Sequence, residues 1–299
     1  MTFIAAARGV LGPYAYPQDV ITDAFSRVVT SDGSIRPLIE RIHRATGVRQ
    51  RHLAIPLESY AELADFGAAN DEFIRVGLDL GAAAIQEALA AAHLEATDVD
   101  MVMSTSVTGI AAPSLEALLV PRIGLRADIK RIPVFGLGCV AGAAGIARLH
   151  DYLVGHPDDV AVLLSVELCS LTVQRDDASM PNIVASGLFG DGAAAVVMVG
   201  ERRAARMGIT GPRVVATRSR IYPDTERTMG WDIGGSGFRI VLSAGVADVI
   251  KQYLGDDVSG FLAEHDLTVP EIARWVCHPG GPRVLEAMES ALDLHDGEL

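Results

Sequence analysis

The chain contains few cysteines and few aromatic residues. Its 299 residues include three cysteines, and aromatic residues make up 5% of the total. The cysteines are Cys139, Cys169 and Cys277. No CxxC pair is present, so the sequence offers neither a disulfide framework nor the usual spacing of zinc ligands. We therefore expect a reducing, cytoplasmic compartment and no metal centre.

Basic side chains and long apolar runs are also scarce. The chain has 25 Lys and Arg against 38 Asp and Glu, which gives a formal net charge of -13. Such a charge disfavours nucleic acid and anionic membrane surfaces as general partners. The longest apolar run, 132–147, is interrupted by Pro133 and four glycines. It is too short and too broken to span a bilayer, so we predict no nucleic-acid partner and no membrane span.

Strand-like and helix-like segments alternate along the chain. This alternation is typical of an α/β fold. The predicted strands are 99–104, 132–135, 159–166, 192–199, 212–220 and 274–277, and the predicted helices are 70–92, 142–153, 240–254 and 283–292. The pattern restarts after the charged stretch 201–211. We therefore predict two similar βα halves, residues 1–205 and 206–299.

Cys139 lies between a predicted strand and a helix of unusually small residues. The segment 136–145 reads Gly-Leu-Gly-Cys-Val-Ala-Gly-Ala-Ala-Gly. A cysteine at a helix start feels the positive end of the backbone dipole, which favours the thiolate. The small neighbours let a ligand or other backbone approach closely. A buried, inert cysteine is the alternative, but the glycine turn favours an activated nucleophile.

His278 also follows a predicted strand, and the turn Pro-Gly-Gly-Pro comes directly after it. Functional residues of α/β sheets collect at the carboxyl ends of strands. If both halves share one sheet system, His278 and Cys139 would face one pocket as a thiolate–imidazolium pair. A zinc site at Cys277 and His278 is less favoured, because no ligand-pair spacing is present.

Six segments together resemble the type III polyketide synthases, the chalcone-synthase-like branch of the thiolase superfamily. They are 46–51 (Thr-Gly-Val-Arg-Gln-Arg), 108–113, 136–145, 166–172, 187–195 (Gly-Leu-Phe-Gly-Asp-Gly-Ala-Ala-Ala) and 278–282 (His-Pro-Gly-Gly-Pro). The cysteine loop alone would also suit ketoacyl synthases. In those relatives Gln-Ala-Asn usually follows the histidine, so Pro-Gly-Gly-Pro favours the polyketide synthases.

The resemblance implies a role for each matching residue. Cys139 would hold the acyl chain as a thioester, and His278 would keep Cys139 ionised and stabilise the malonyl enolate. Phe189 and Phe238 match the two gatekeeper phenylalanines between the coenzyme A tunnel and the cavity. Four small residues would line that cavity: Thr108, Ala112, Cys169 and Thr172. The combination of Thr108 with Cys169 resembles members that accept long fatty acyl starters.

The same resemblance implies how coenzyme A would bind. Arg49 and Arg51 would meet its phosphates, and their alternating spacing would place both on one face of an extended segment. An ordinary solvated surface pair is the alternative. Gly280 and Gly281 would line the pantetheine path, which a side chain would block.

The implied protein is a homodimer with a thiolase-like αβαβα arrangement and no bound cofactor. It would condense malonyl-CoA onto an acyl starter, from acyl-CoA or an acyl carrier protein, and cyclise the chain to an alkylpyrone or alkylresorcinol. The alternatives are an initiating ketoacyl synthase that performs one condensation, and a catalytically incomplete partner subunit. The family's third catalytic residue is an asparagine beyond the histidine. No Asn follows His278, and we therefore expect a fragment of a longer protein.

Overall fold

The structure is a computed structural model that describes residues 1–30, 32–175, 177–295 and 297–299. The strands are β1 (Thr2–Leu11), β2 (Tyr14–Pro17), β3 (Gln50–Leu53), β4 (Met101–Ser106), β5 (Lys130–Phe135), β6 (Val160–Leu168), β7 (Asp191–Gly200), β8 (Arg213–Val214), β9 (Met229–Gly234) and β10 (Gly237–Leu242). The helices are α1 (Gln18–Val29), α2 (Arg36–Ala45), α3 (Phe66–Ala91), α4 (Leu115–Ile123), α5 (Ala141–Gly155), α6 (Met180–Leu188), α7 (Glu201–Met207), α8 (Val246–Ala263) and α9 (Pro282–Leu292).

A six-stranded mixed sheet forms the centre of the molecule. Its strand order is β5-β4-β6-β7-β1-β8. The strand β4 pairs in parallel with β5 and with β6, whereas β6, β7, β1 and β8 pair antiparallel. The parallel pairing places the carboxyl ends of β4, β5 and β6 at one edge of the sheet. The segments that follow these strands carry Thr108, Cys139 and Cys169, so the sheet delivers these three residues to one side.

The helices α3 and α5 cover opposite faces of this sheet. Val162 and Leu164 of β6 belong to the core under α3, while Ala161 and Leu163 belong to the core under α5. Because side chains alternate along a strand, these two sets point to opposite faces. A strand buried on both sides reads as a continuous apolar run, which explains the composition of β6.

Small helical residues let the two layers approach the sheet closely. A methyl group added at Gly81 of α3 would lie 3.2 Å from Leu164 Cδ2, and one added at Gly145 of α5 would lie 2.5 Å from Leu163 Cδ1. Overpacking of this kind typically costs about 1–3 kcal/mol. Gly145, in the run of small residues after Cys139, is therefore needed for the packing of α5 on the sheet.

The sequence predictions for this sheet and its helices are confirmed. The predicted strands 99–104, 132–135, 159–166 and 192–199 correspond to β4, β5, β6 and β7, and the helices 70–92 and 142–153 correspond to α3 and α5. The predicted helix 283–292 is confirmed as α9, and the other predictions succeed less well. Of the predicted strand 212–220, only β8 forms, and the predicted strand 274–277 is irregular. Val276 is fully exposed. A segment with strand-forming residues is not stabilised in an extended conformation when no neighbouring strand packs against it.

The C-terminal part adds a hairpin and two helices to the central layers. The predicted helix 240–254 begins later than expected, because its first residues pair with β9 in β10. The predicted domain boundary after residue 205 falls inside α7, and β8 still pairs with β1 of the central sheet. Within the described ranges of the chain, none of the helices has the length and apolar character required to cross a membrane.

Candidate active site

Cys139 lies in a short 3₁₀ turn between β5 and α5. The turn covers Gly138–Val140, and α5 begins at Ala141. Gly136 and Gly138 both have positive φ angles, of 99° and 62°. Such angles favour glycine, so the two glycines redirect the chain sharply at the end of β5. Cys139 therefore lies at the amino-terminal side of α5, as the sequence predicts. The residue is exposed.

The surroundings of Cys139 disfavour its thiolate. Neighbouring atoms desolvate the sulfur and raise the pKa of the Cys139 thiol, and the negative charge of Glu167 raises it further. The sequence-based expectation of a thiolate stabilised by the helix dipole is therefore wrong for this arrangement. Desolvation and the nearby carboxylate raise the pKa more than the backbone hydrogen bond at Cys139 lowers it.

Glu167 is a functional candidate that the sequence analysis missed. It belongs to β6, and burial raises the pKa of its carboxyl to about 7. The carboxylate accepts hydrogen bonds from Thr108 Oγ1 at 2.6 Å and from the Val107 backbone at 3.0 Å. A single acidic residue within the apolar run 160–168 was the available signal, because buried carboxyls are rare without partners.

His278 lies in an irregular segment that leads into α9. Burial lowers the pKa of its imidazole, which favours the neutral ring. Gly281, with φ of 112°, precedes the helix, and a methyl group added there would lie 3.2 Å from Leu188 Cδ2. The histidine turn therefore packs beside the end of α6. Across the described parts of the chain, no hydrogen bond joins His278 to Cys139.

A cavity of about 550 Å³ opens between α1, the start of α3 and the hairpin β9–β10. Most of its wall is apolar. Two residues that the sequence assigned to the substrate cavity, Thr108 and Phe238, line it. A space of this size suits a small organic ligand.

The other predicted cavity residues are placed differently. Cys169 and Thr172 face a second, much smaller pocket, and Thr172 Oγ1 donates to the Cys169 carbonyl at 2.8 Å. Burial and the nearby charges of Asp191 and Glu167 raise the pKa of Cys169. Ala112 is exposed and lines neither pocket.

The two predicted gatekeeper phenylalanines line different pockets: Phe238 lines the large cavity and Phe189 the smaller one. Phe238 is 2% exposed and packs against Phe66, Phe135 and Trp231, with ring centroids 5.4 to 6.2 Å apart. Phe189 lines the smaller pocket together with Cys169. The structure therefore brings Cys169 and Phe189 to one pocket and packs the histidine turn against Leu188, the residue before Phe189.

The structure places Arg49 and Arg51 in different surroundings. Arg49 precedes β3 and is exposed, whereas Arg51 is 5% exposed. Arg51 donates through Nε to the Phe189 carbonyl at 2.5 Å and through Nη1 to the Ser186 carbonyl. A buried guanidinium with these partners supports the end of α6, and it is not available to a solvated phosphate.

The two glycines of the histidine turn do not border an open channel in this structure. A methyl group on Gly280 would meet Val284 Cγ1 at 3.1 Å, and the corresponding space at Gly281 is taken by Leu188. Their part in a pantetheine path stays a prediction. Over the described residues, no group of three or more His, Cys, Asp or Glu side chains is arranged to hold a metal ion.

Comparisons with known proteins agree on one family. The model of a family described as "FAE1/Type III polyketide synthase-like protein" matches residues 32–214. The 1,3,6,8-tetrahydroxynaphthalene synthase of Streptomyces peucetius subsp. caesius is 55% identical over 298 residues, which cover 100% of this chain and 78% of that protein. The synthase of the same name from Streptomyces coelicolor is 34% identical and is covered over 67% of its length.

Solved structures give the same result. The crystal structure of the tetrahydroxynaphthalene synthase from Streptomyces coelicolor superimposes with a TM-score of 0.89 at 31% identity, over 98% of this chain and 82% of that one. PKS-I from the brown alga Ectocarpus siliculosus superimposes with a TM-score of 0.89 at 23% identity, over 99% of this chain and 82% of that one. The second likeness bears on the fold alone.

Proposed function

Because the chain belongs to the type III polyketide synthase family, we propose that Cys139 is its acyl-carrying nucleophile and His278 the base that serves it. Members of this family have a thiolase-like fold and are acyltransferases that catalyse decarboxylative condensation of malonyl-CoA. They act on coenzyme A thioesters without a bound cofactor.

The proposed first step loads the starter onto Cys139. The Cys139 sulfur attacks the thioester carbonyl of an acyl-CoA, a new thioester forms, and coenzyme A leaves as the thiol. The proton of Cys139 has to be removed first, because desolvation and Glu167 favour the thiol form. A neutral imidazole is a suitable acceptor, and burial lowers the pKa of His278, which favours its neutral form. We expect the histidine turn to approach Cys139 when substrate binds.

The proposed second step extends the chain. Malonyl-CoA loses carbon dioxide and becomes the enolate of an acetyl thioester. The enolate carbon attacks the Cys139 thioester, a carbon–carbon bond forms, and the Cys139 sulfur leaves. The His278 imidazolium would donate a hydrogen bond to the enolate oxygen, which is the charge that develops during decarboxylation. Repetition of both steps lengthens the chain before it cyclises.

We propose a hydroxylated naphthalene as the product. The observation that carries this choice is the 55% identity to a tetrahydroxynaphthalene synthase along the whole chain. A naphthalene skeleton bears no alkyl side chain, so its carbons can all come from malonyl units. The second candidate is the product predicted from the sequence, an alkylpyrone or alkylresorcinol made from a fatty acyl starter. It is favoured by the largely apolar cavity beside Thr108.

One incubation series separates these candidates. The enzyme receives malonyl-CoA alone, or malonyl-CoA with saturated acyl-CoA starters of increasing length, and the products are identified by mass. A hydroxynaphthalene from malonyl-CoA alone supports the first candidate. Alkylated rings formed only with long starters support the second, and linear ketoacyl products would instead indicate a ketoacyl synthase. Absence of every condensation product contradicts the proposed function.

Two variants test the fatty acyl candidate more sharply. Each extra buried methylene of substrate contributes about 0.8 kcal/mol, so a long chain that loses its tunnel loses much of its binding. We expect Thr108→Phe, beside the large cavity, to reduce kcat/KM for long starters and to spare short ones. Cys169→Phe closes the smaller pocket and is the matched comparison. An equal loss at every chain length contradicts a tunnel at either residue.

The remaining proposals concern organisation. We propose a homodimer that takes coenzyme A thioesters rather than acyl carrier protein as donors, and a division into units at residues 1–205 and 206–299. Light scattering on the purified protein tests the dimer. Parallel loading assays with acyl-CoA and acyl carrier protein test the donor, and limited proteolysis tests the division.

A further inference from the structure

The large cavity opens to solvent at a mouth where three segments of the chain meet. The residues that are exposed and also line the cavity mark this mouth, and they are Ala64, Asp65, Arg175, Gly235, Ser236 and Arg239. They belong to the chain before α3, to the loop after β6 and to the hairpin β9–β10. The width of the mouth therefore depends on how these three segments are held together.

Gln174 joins the loop after β6 to the hairpin. Its side chain is 5% exposed, and Nε2 donates to the carbonyls of Ser236 and Phe238, each at 3.1 Å. The Gln174 carbonyl in turn accepts a hydrogen bond of 3.1 Å from Asn182 Nδ2 of α6. Because a buried donor that loses its partner is costly, this side of the mouth is held firmly.

Arg175, the next residue, joins the same loop to the chain before α3. Its Nη2 atom donates to the carbonyls of Tyr60, Ala61 and Leu63, at 2.6, 3.2 and 2.9 Å. The residues 61–65 form what we call the rim segment, and none of them is buried. A segment with few buried contacts separates from its neighbours at a low free-energy cost. The hydrogen bonds from Arg175 are therefore a large part of what keeps the rim segment in place.

We propose that Gln174 and Arg175 form a clasp across the mouth, in which Arg175 is the half that releases, and that this clasp sets the rate at which apolar ligands enter and leave the large cavity. The two halves differ because Gln174 is buried, whereas Arg175 is exposed and can exchange its carbonyl partners for water. The inference rests on the proposed function only for the natural ligand, which is the acyl or polyketide chain beside Thr108.

Release of the clasp has a distinct kinetic consequence. Ligands pass while the rim segment is open, so the association and dissociation rate constants both scale with the open population. Arg175 donates to backbone carbonyls, and its loss therefore raises both rate constants by the same factor and leaves the Kd nearly unchanged. Removal of a charged hydrogen-bond donor from the closed state shifts such an equilibrium by about tenfold or more.

Stopped-flow binding of N-phenyl-1-naphthylamine tests the clasp. This probe is neutral, so the charge of Arg175 does not attract it, and its fluorescence rises in apolar surroundings. We expect Arg175→Ala to raise the association and dissociation rate constants together, by about tenfold. Arg175→Lys keeps a cation that can donate to the same carbonyls and should restore much of the wild-type rates.

Two further variants assign the effect to the mouth of this cavity. Arg227→Ala is the matched control, because Arg227 pairs with Asp232 of β9 at 2.6 and 2.9 Å and neither residue lines the cavity. It should leave both rate constants unchanged. Ala24→Phe fills the cavity from α1 and should cause a loss of probe binding.

Four results would overturn the inference. They are no binding of the probe to the wild type, binding that Ala24→Phe does not weaken, unchanged rate constants in Arg175→Ala, and faster dissociation in Arg175→Ala with no faster association. The last pattern would show that Arg175 only stabilises the wall.

The outcome is separable from the proposed function, because the probe is bound without turnover. Faster exchange in Arg175→Ala of a protein that forms no polyketide would remove the proposed function and leave the clasp. Polyketide formation with unchanged exchange rates would do the opposite.

Discussion

Thr108 Oγ1 donates a 2.6 Å hydrogen bond to Glu167 Oε2 and accepts one of 2.9 Å from the Leu168 backbone. One hydroxyl thus links the loop after β4 to β6. It also connects the cavity wall to the carboxylate whose charge acts on Cys139. Thr108 therefore contacts both the cavity and the carboxylate near the thiol.

Thr108→Val tests how much these two hydrogen bonds contribute to the stability of the fold. Valine has the same shape but no hydroxyl, so Glu167 loses a donor and the Leu168 backbone loses an acceptor. We expect the free energy of unfolding to fall by about 1–3 kcal/mol, as for other buried groups left without a partner. Thr108→Ser keeps the hydroxyl and is the control. Urea unfolding measures the stability of both variants. Equal stability of the valine variant and the wild type would contradict a stabilising role of the Thr108 hydroxyl.

Glu167 should make the protein less stable as the pH rises. Burial raises its pKa from 4.5 to about 7, so between these values the folded state binds more protons than the unfolded state. Stability then falls with increasing pH across that window, by at most about 3 kcal/mol. Glu167→Gln should remove this contribution. Unfolding curves from about pH 4 to pH 8 measure it, and identical pH profiles for variant and wild type would argue against a buried carboxyl at this position.

The thiol of Cys139 should react with iodoacetamide at higher pH than an ordinary cysteine, because desolvation and Glu167 both favour its protonated form. Glu167→Gln should lower the apparent pKa of this reaction. Cys277 is an internal control, since burial alone raises the pKa of its thiol and Glu167 does not contribute. Alkylation rates of the individual cysteine peptides, measured against pH, give the apparent pKa values of Cys139 and Cys277. A Cys139 pKa that is unaffected by Glu167→Gln would show that the two groups are not coupled.

The two arginines near β3 should behave differently. Arg51→Ala leaves the carbonyls of Ser186 and Phe189 without their donor and should destabilise the fold by about 2 kcal/mol or more. Arg49→Ala should leave stability nearly unchanged. If the exposed Arg49 meets a coenzyme A phosphate, its loss raises KM for acyl-CoA and spares kcat. An unchanged KM would show that Arg49 does not bind coenzyme A.

The sequence predicted β4 to β7 of the central sheet and the position of Cys139 because both depend on local patterns, whereas β1 was not predicted. Apolar runs of strand length marked β4 to β7, and the glycines around Cys139 marked a sharp turn. The family likeness also followed from contiguous motifs. These features need no knowledge of which distant segments meet.

The features that the sequence could not predict depend on distant contacts. Arg51 appeared as a surface cation because no local pattern shows that Ser186 and Phe189 would accept its hydrogen bonds. The predicted direction of the Cys139 pKa was wrong because a helix start is visible in the sequence, whereas the desolvation of the sulfur and the approach of Glu167 from β6 are not. The predicted strand 274–277 failed for the same reason, since a strand requires a partner elsewhere in the chain.

The most direct test of the account is the site of covalent acyl attachment. The wild type and Cys139→Ala are incubated with acyl-CoA, digested at low pH to preserve thioesters, and mapped by mass spectrometry. The account predicts one acyl adduct, on Cys139, and none in a Cys139→Ala variant that unfolds at the same urea concentration as the wild type. An adduct on Cys169 or Cys277 in the variant, or no adduct on Cys139 in the wild type, would contradict it.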